Sequence, residues 1–135
     1  MTIEALDTSV AIPSLLRWDE NHQRCLVASA GAVIPAHALL ETYAVITRLP
    51  SPHRVAREDA HSVLADRYPP STVLAAPVGL QRSLVDRLAE AGVAGGAVYD
   101  ALVGLTATHH GAVLLTRDVR AMRTYDALGV DFAVV

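Results

Sequence analysis

A-V-L-L-T-R-D, residues 112–118, sets the pattern of the chain. Ala112 to Leu115 is an apolar run of strand length. Thr116, Arg117 and Asp118 interrupt it, and Val119 to Leu128 then reads as a helix. A strand that passes through a polar turn into a helix is half of a parallel crossover unit, and the same order recurs upstream. Ile3 to Leu6, Ala32 to Ile34, Thr72 to Ala75 and Asp131 to Val135 read as the other strands. Glu20 to Ala30, Pro35 to Leu49, Arg57 to Tyr68 and Gly96 to His109 read as helices, the last stopped near Gly111. One more helix opens at Pro77, carries the apolar stripe Leu80, Leu84, Leu88 and Ala91, and ends at Gly92. Strands and helices in alternation predict an α/β architecture, a parallel sheet covered on both faces. The Pro50-Ser51-Pro52 stretch is a turn, too short to link domains, so residues 1–135 are expected to form a single domain.

Composition narrows the classes. Hydrophobic residues make up 52% of the chain and aromatics only 4%, so the core is expected to be Ala, Val and Leu. Every apolar stretch is broken before the roughly 18 residues of a membrane span, and the N-terminus has no basic region before an apolar run. Cys25 is the only cysteine and has no internal disulfide partner. It reads as a small buried hydrophobe in a reducing compartment, and the expected location is the cytoplasm. The net charge of −3 excludes a strongly basic nucleic-acid arm. All eleven basic residues are Arg, which excludes mechanisms that require Lys.

Four acids stand out because their neighbours are apolar: Asp7 after the first strand, Glu41 in L-L-E-T-Y-A-V-I, Asp100 in A-V-Y-D-A-L-V, and Asp118. Carboxylates in such surroundings are unfavourable unless a cation meets them. In an open parallel sheet, ligands bind beyond the carboxyl ends of the strands where strand order reverses, and Asp7 and Asp118 follow strand ends. Two readings are open for each acid. Asp7 and Asp118 can cap the helices that follow, and Asp100 can complement a helix dipole. Alternatively, the four converge on a divalent metal. Gly104, one turn on from Asp100, would let another element approach closely.

Together these segments resemble the PIN-domain ribonucleases, most closely the VapC-type toxins of bacterial toxin–antitoxin modules. The resemblance is carried by L-D-T-S-V at 6–10, L-L-E-T-Y-A-V-I-T-R-L at 39–49, Y-D-A-L-V-G-L-T-A at 99–107, L-L-T-R-D at 114–118 and Y-D-A-L-G-V at 125–130. It covers essentially the whole chain and implies a single three-layer α/β/α PIN domain over residues 1–135. Its parallel five-stranded sheet would have the order 3-2-1-4-5, with Asp7 and Asp118 on adjacent strands. The implied activity is endoribonuclease cleavage of internal RNA bonds. Asp7, Glu41, Asp100 and Asp118 would hold the metal directly or through water, and Thr116, with Ser9, would supply positioning hydroxyls. Oxygen ligands favour Mg2+ or Mn2+ over zinc, and the six His show no paired zinc spacing. Arg117, Arg120 and Arg123 stand near the strand ends, either to touch phosphate or as a solvated face. The implied partners are an RNA substrate, a cognate VapB-type antitoxin and a second copy in a homodimer, with no membrane. Leu15, Leu16 and Trp18 are candidates either for antitoxin contact or for the core.

Rival classes fit less well. Response-regulator receivers and haloacid dehalogenase-type phosphatases need a Lys that is absent, and no G-x-S-x-G elbow supports serine hydrolysis. A non-catalytic PIN-like scaffold and an RNA-processing PIN nuclease outside a toxin–antitoxin module remain the alternatives.

Overall fold

The computed structural model describes residues 1–135. Five short strands alternate with helices: β1 (Ile3–Leu6), β2 (Ile34–Pro35), β3 (Val73–Leu74), β4 (Ala112–Thr116) and β5 (Phe132–Val134). The helices are α1 (Thr8–Leu15), α2 (His22–Ala28), α3 (Ala36–Arg48), α4 (Arg57–Arg67), α5 (Val78–Ala91), α6 (Ala97–His109) and α7 (Val119–Ala127). Expected and observed elements agree within a few residues at most ends. Pro77 caps α5, and Gly92 ends it in the left-handed conformation at φ 71°.

One helix was not expected. α1 follows β1 directly although Pro13 lies inside it, where a helical N–H is lost. Burial decides the outcome: Val10, Ala11 and Ser14 face the core, and the Ser14 hydroxyl donates to the Ala11 carbonyl at 2.6 Å. The expected stripe on α5 is also narrower than its sequence, since Leu84 and Leu88 are buried while Ala91 is exposed.

The strands are parallel, but the expected continuous five-stranded sheet is interrupted. β1, β4 and β5 form one ladder in that order, and β2 and β3 form another. A single parallel bridge between Ala5 and Val33 joins them, held by Val33 N–H to Glu4 O at 2.9 Å and Leu6 N–H to Val33 O at 3.0 Å. Through that bridge the neighbours run 3, 2, 1, 4, 5. Each of β2 and β3 contributes only two residues, which is too few to extend the ladder beyond the bridge.

Leu114, Leu115 and Thr116 are consecutive in β4 and all buried. Successive strand side chains point to opposite faces, so helices cover the sheet on both sides. The core contains 26 buried hydrophobic residues, mostly Ala, Leu and Val, and includes the fully buried Cys25. No helix is long and apolar enough to cross a membrane.

Candidate active site

Register builds the centre of the site. Leu6 of β1 pairs with Leu115 of β4, and the Asp7 N–H donates to the Leu115 carbonyl at 3.2 Å, so Asp7 and Thr116 leave adjacent strands side by side. This is the sheet's reversal point, because β1 is flanked by the bridge to β2 on one edge and by β4 on the other.

Asp7 is the one acid of the four that is buried, and its carboxylate is held on both oxygens. Oδ1 accepts the Ser9 N–H at 3.0 Å and the Ser9 hydroxyl, and Oδ2 accepts the Tyr125 hydroxyl at 2.9 Å. Burial raises the Asp7 carboxyl above its ordinary range, against the downward pull of the Ser9, Thr116 and Tyr125 hydroxyls. Burial and then the Asp7 charge push the Tyr125 phenol upward, which keeps it a donor.

Ser9 and Thr116 tie the two strand ends together. The Ser9 hydroxyl accepts the Arg117 N–H at 2.7 Å, Thr116 Oγ1 accepts the Asp118 N–H at 3.1 Å, and the two hydroxyl oxygens are 3.4 Å apart. Asp118 caps α7, its Oδ1 accepting from Arg120 N–H at 3.0 Å and Ala121 N–H at 3.2 Å. The capping readings of Asp7 and Asp118 are therefore realised in the fold, alongside whatever else these carboxylates do.

Asp100 occupies the first turn of α6 and is half-buried, as are Glu41 in α3 and Asp118. Of the four acids with apolar neighbours in sequence, only Asp7 is buried in the fold, and the other three are partly open to solvent. They nevertheless sense one another. Asp100 is pushed up to about 6, by burial first and then by the charges of Asp118, Glu41 and Asp7, with His37 opposing. Asp118, Glu41 and Asp7 therefore lie close enough to Asp100 for their charges to act on its carboxyl. Their donor set is oxygen only, which fits a hard divalent cation. No three of the chain's His, Cys, Asp and Glu side chains already stand as a preformed metal cage. Two of the acids are turned toward the helix ends they cap.

The repulsion has a pH signature. Asp100 titrates near 6 in the native chain and near 3.8 when unfolded, so between those values the native state binds more protons. Metal-free stability should therefore fall as pH rises from about 4 to 6 and then level off. The full shift corresponds to roughly 3 kcal/mol, which solvent screening of a half-exposed carboxyl reduces to about 1 kcal/mol. Denaturant titrations of the parent chain and Asp100→Asn at pH 4 and pH 7 check this, since the Asn variant should lack that part of the fall.

Three residues of the site, Tyr125, His37 and Tyr99, were given no role from the sequence. Tyr125 lies 118 positions from the acid it holds, and no local pattern marks its hydroxyl. His37 places Nε2 2.6 Å from Glu41 Oε1, one helical turn away, and stacks on Tyr99 with ring centroids 5.1 Å apart. The spacing of His37 and Glu41 on α3 is the one local signal that could have found a pair. Among the arginines, Arg117 is committed within the chain, its Nη1 donating to the Val135 carbonyl at 2.7 Å, whereas Arg120 and Arg123 are exposed. Of the candidate contact residues, Leu16 is buried, Leu15 is half-buried, and Trp18 is exposed and stacked on His53. His109 ends α6 as expected, and His110 Nε2 lies 2.8 Å from the Ala75 carbonyl.

A family model described as PIN domain matches residues 5–127. The chain belongs to the PIN-domain family. Within it, VapC-type ribonucleases are among the relatives. This PIN domain is 48% identical over 132 residues to ribonuclease VapC40 of Mycobacterium tuberculosis, across 97% of this chain and 98% of that protein. It is 44% identical over 136 residues to ribonuclease VapC27 of Mycobacterium tuberculosis, across 96% and 95%. DNA-bound VapBC from Salmonella typhimurium shares the fold at a TM-score of 0.69 and 20% identity, over 99% of this chain and 98% of that one.

Proposed function

We propose that this PIN domain, spanning residues 1–135, is a metal-dependent endoribonuclease and the toxin of a VapBC-type toxin–antitoxin pair in the cytoplasm. The observation that carries the reading is the register that sets Asp7 beside the end of β4, just before Asp118, with Asp118, Glu41 and Asp7 close enough to act on the half-buried Asp100 carboxyl. An arrangement that disfavours its own charge is suited to a cation. Two relatives named as ribonucleases, aligned over nearly the full chain, support RNA as the substrate. In this reading Asp7, Glu41, Asp100 and Asp118 hold Mg2+ or Mn2+, directly or through water. Once bound, such an ion supplies Lewis acidity toward a phosphodiester oxygen and lowers the pKa of a coordinated water.

The chain's own residues do the positioning. Ser9 and Tyr125 fix the Asp7 carboxylate, so that it keeps its orientation when RNA arrives. Ser9 and Thr116 hold the turn after β4 that carries Asp118, through the Arg117 and Asp118 N–H groups. A cognate VapB-type antitoxin and a second copy of the chain are the proposed protein partners. The DNA-bound VapBC fold neighbour and the exposed apolar side chains of Val78, Val85 and Leu40 support that part.

A brief pulse of expression followed by mapping of RNA ends tests the proposal. New internal ends and growth arrest are expected, both absent with Asp100→Asn, and co-expression of the small adjacent gene product should restore growth. Abundant soluble chain that leaves both RNA and growth intact would overturn it.

A further inference from the structure

Two of the four acids, Glu41 and Asp100, help to line a cleft of about 330 Å3 whose walls also include His37, Arg48, Gly96 and Tyr99. That volume is near the lower end of small-molecule sites, roughly 300 to 1,000 Å3, and suits one nucleotide rather than a helix. Its wall is aromatic. Tyr99 and His37 are nearly parallel, at 6° between ring planes, and the short contact from His37 to Glu41 steadies the imidazole from behind. With one face against His37, Tyr99 is still 54% exposed, although a large aromatic left in water is unfavourable unless something covers it. Arg48, at the end of α3, is exposed, lines the same cleft and makes no ion pair within the chain. An open ring face, a free guanidinium and two of the candidate metal-holding acids in one cleft are the parts of a single-strand nucleotide subsite. Bases of unpaired RNA stack on such rings, while Arg meets the backbone.

We propose that Tyr99, backed by His37, stacks one unpaired nucleobase next to the bond to be cut, with Arg48 on an adjoining phosphate. This inference rests on the ribonuclease reading and extends it to the positioning of substrate. Tyr99 is a binding residue here, and the acids remain the reacting centre.

The test uses the full chain carrying Asp100→Asn, so that bound RNA stays whole, and short single-stranded oligoribonucleotides with 2-aminopurine placed at successive positions. Quenching is expected at one position, lost with Tyr99→Ala and kept with Tyr99→Phe. Affinity should fall by roughly five- to a hundredfold in the Ala variant alone. With Asp100 restored, Tyr99→Ala should raise KM for RNA more than it lowers kcat. Unchanged quenching and affinity in Tyr99→Ala would overturn the subsite while leaving the ribonuclease reading in place if the parent chain still cuts RNA. A change confined to neutralisation by the antitoxin would overturn it equally, and make Tyr99 a protein contact. A parent chain that neither binds nor cuts RNA would remove both readings.

Discussion

Replacing Asp100 by Asn should reduce RNA cleavage at least a hundredfold while leaving the metal-free fold as stable as the parent or more so. The two effects separate because they have different origins. Asp100 accepts no hydrogen bond within the chain; it sits half-buried and faces the charges of Asp118, Glu41 and Asp7. Removing its charge relieves repulsion, so at neutral pH the fold should gain on the order of 1 kcal/mol. A metal ligand or charge-stabilising group, by contrast, is worth about two to three orders of magnitude in rate when removed. Metal response provides the cross-check. A ligand at a hundredfold excess over its dissociation constant stabilises the native state by about 2.7 kcal/mol, which should raise the melting temperature of the parent by roughly 8 to 14 °C. Asp100→Asn should lose most of that rise, and EDTA should stop cleavage by the parent. Thermal melts with and without Mn2+, run beside a cleavage assay, measure both. A variant that melts lower and still cuts RNA would return Asp100 to the role of a helix-dipole residue. Asp7 and Asp118 are less clean probes, because each also caps a helix.

Gly104→Val should destabilise the chain by about 1 to 3 kcal/mol and impair the site from a distance. A Cβ at this position would lie 3.0 Å from Tyr125 Cδ1 and 3.0 Å from Val130 Cγ2. The Tyr125 ring has little room to yield, since it is buried and its hydroxyl is committed to Asp7. Overpacking at such a contact costs about 1 to 3 kcal/mol, and a shift of the ring pulls the donor off Asp7. Gly104→Ala should be milder, because Ala recovers up to about 1 kcal/mol of helix propensity within α6. Melting curves of the two variants measure the difference. A Val variant as stable as the parent would show that α7 slides freely on α6, contrary to the packing described.

Local pattern was enough for most of the architecture. Strand-length apolar runs, the Pro77 and Gly92 boundaries of α5, and the alternation of strands with helices follow from periodicity and turn chemistry, which act over a few residues. The four acids were legible for a similar reason, since each stands against an apolar background that makes an ordinary surface role hard to draw. α1 was not legible, because Pro13 argues locally against a helix and only burial of Val10, Ala11 and Ser14 outweighs it. The break between β2 and β1 was equally hidden: two-residue strands leave no pattern that says how far a ladder extends.

The sequence by itself determined which residues carry charge into apolar company and which segments end just before them. Only the tertiary structure decided that Asp7 is buried while Glu41, Asp100 and Asp118 are partly open to solvent, and that Arg117 turns toward Val135. The same holds for Tyr125 reaching Asp7 and for Tyr99 lying on His37. Those facts depend on strand register and on helices brought together from distant parts of the chain. Burial and hydrogen-bond partners are properties of that assembled packing, whereas charge and periodicity belong to each segment before it folds.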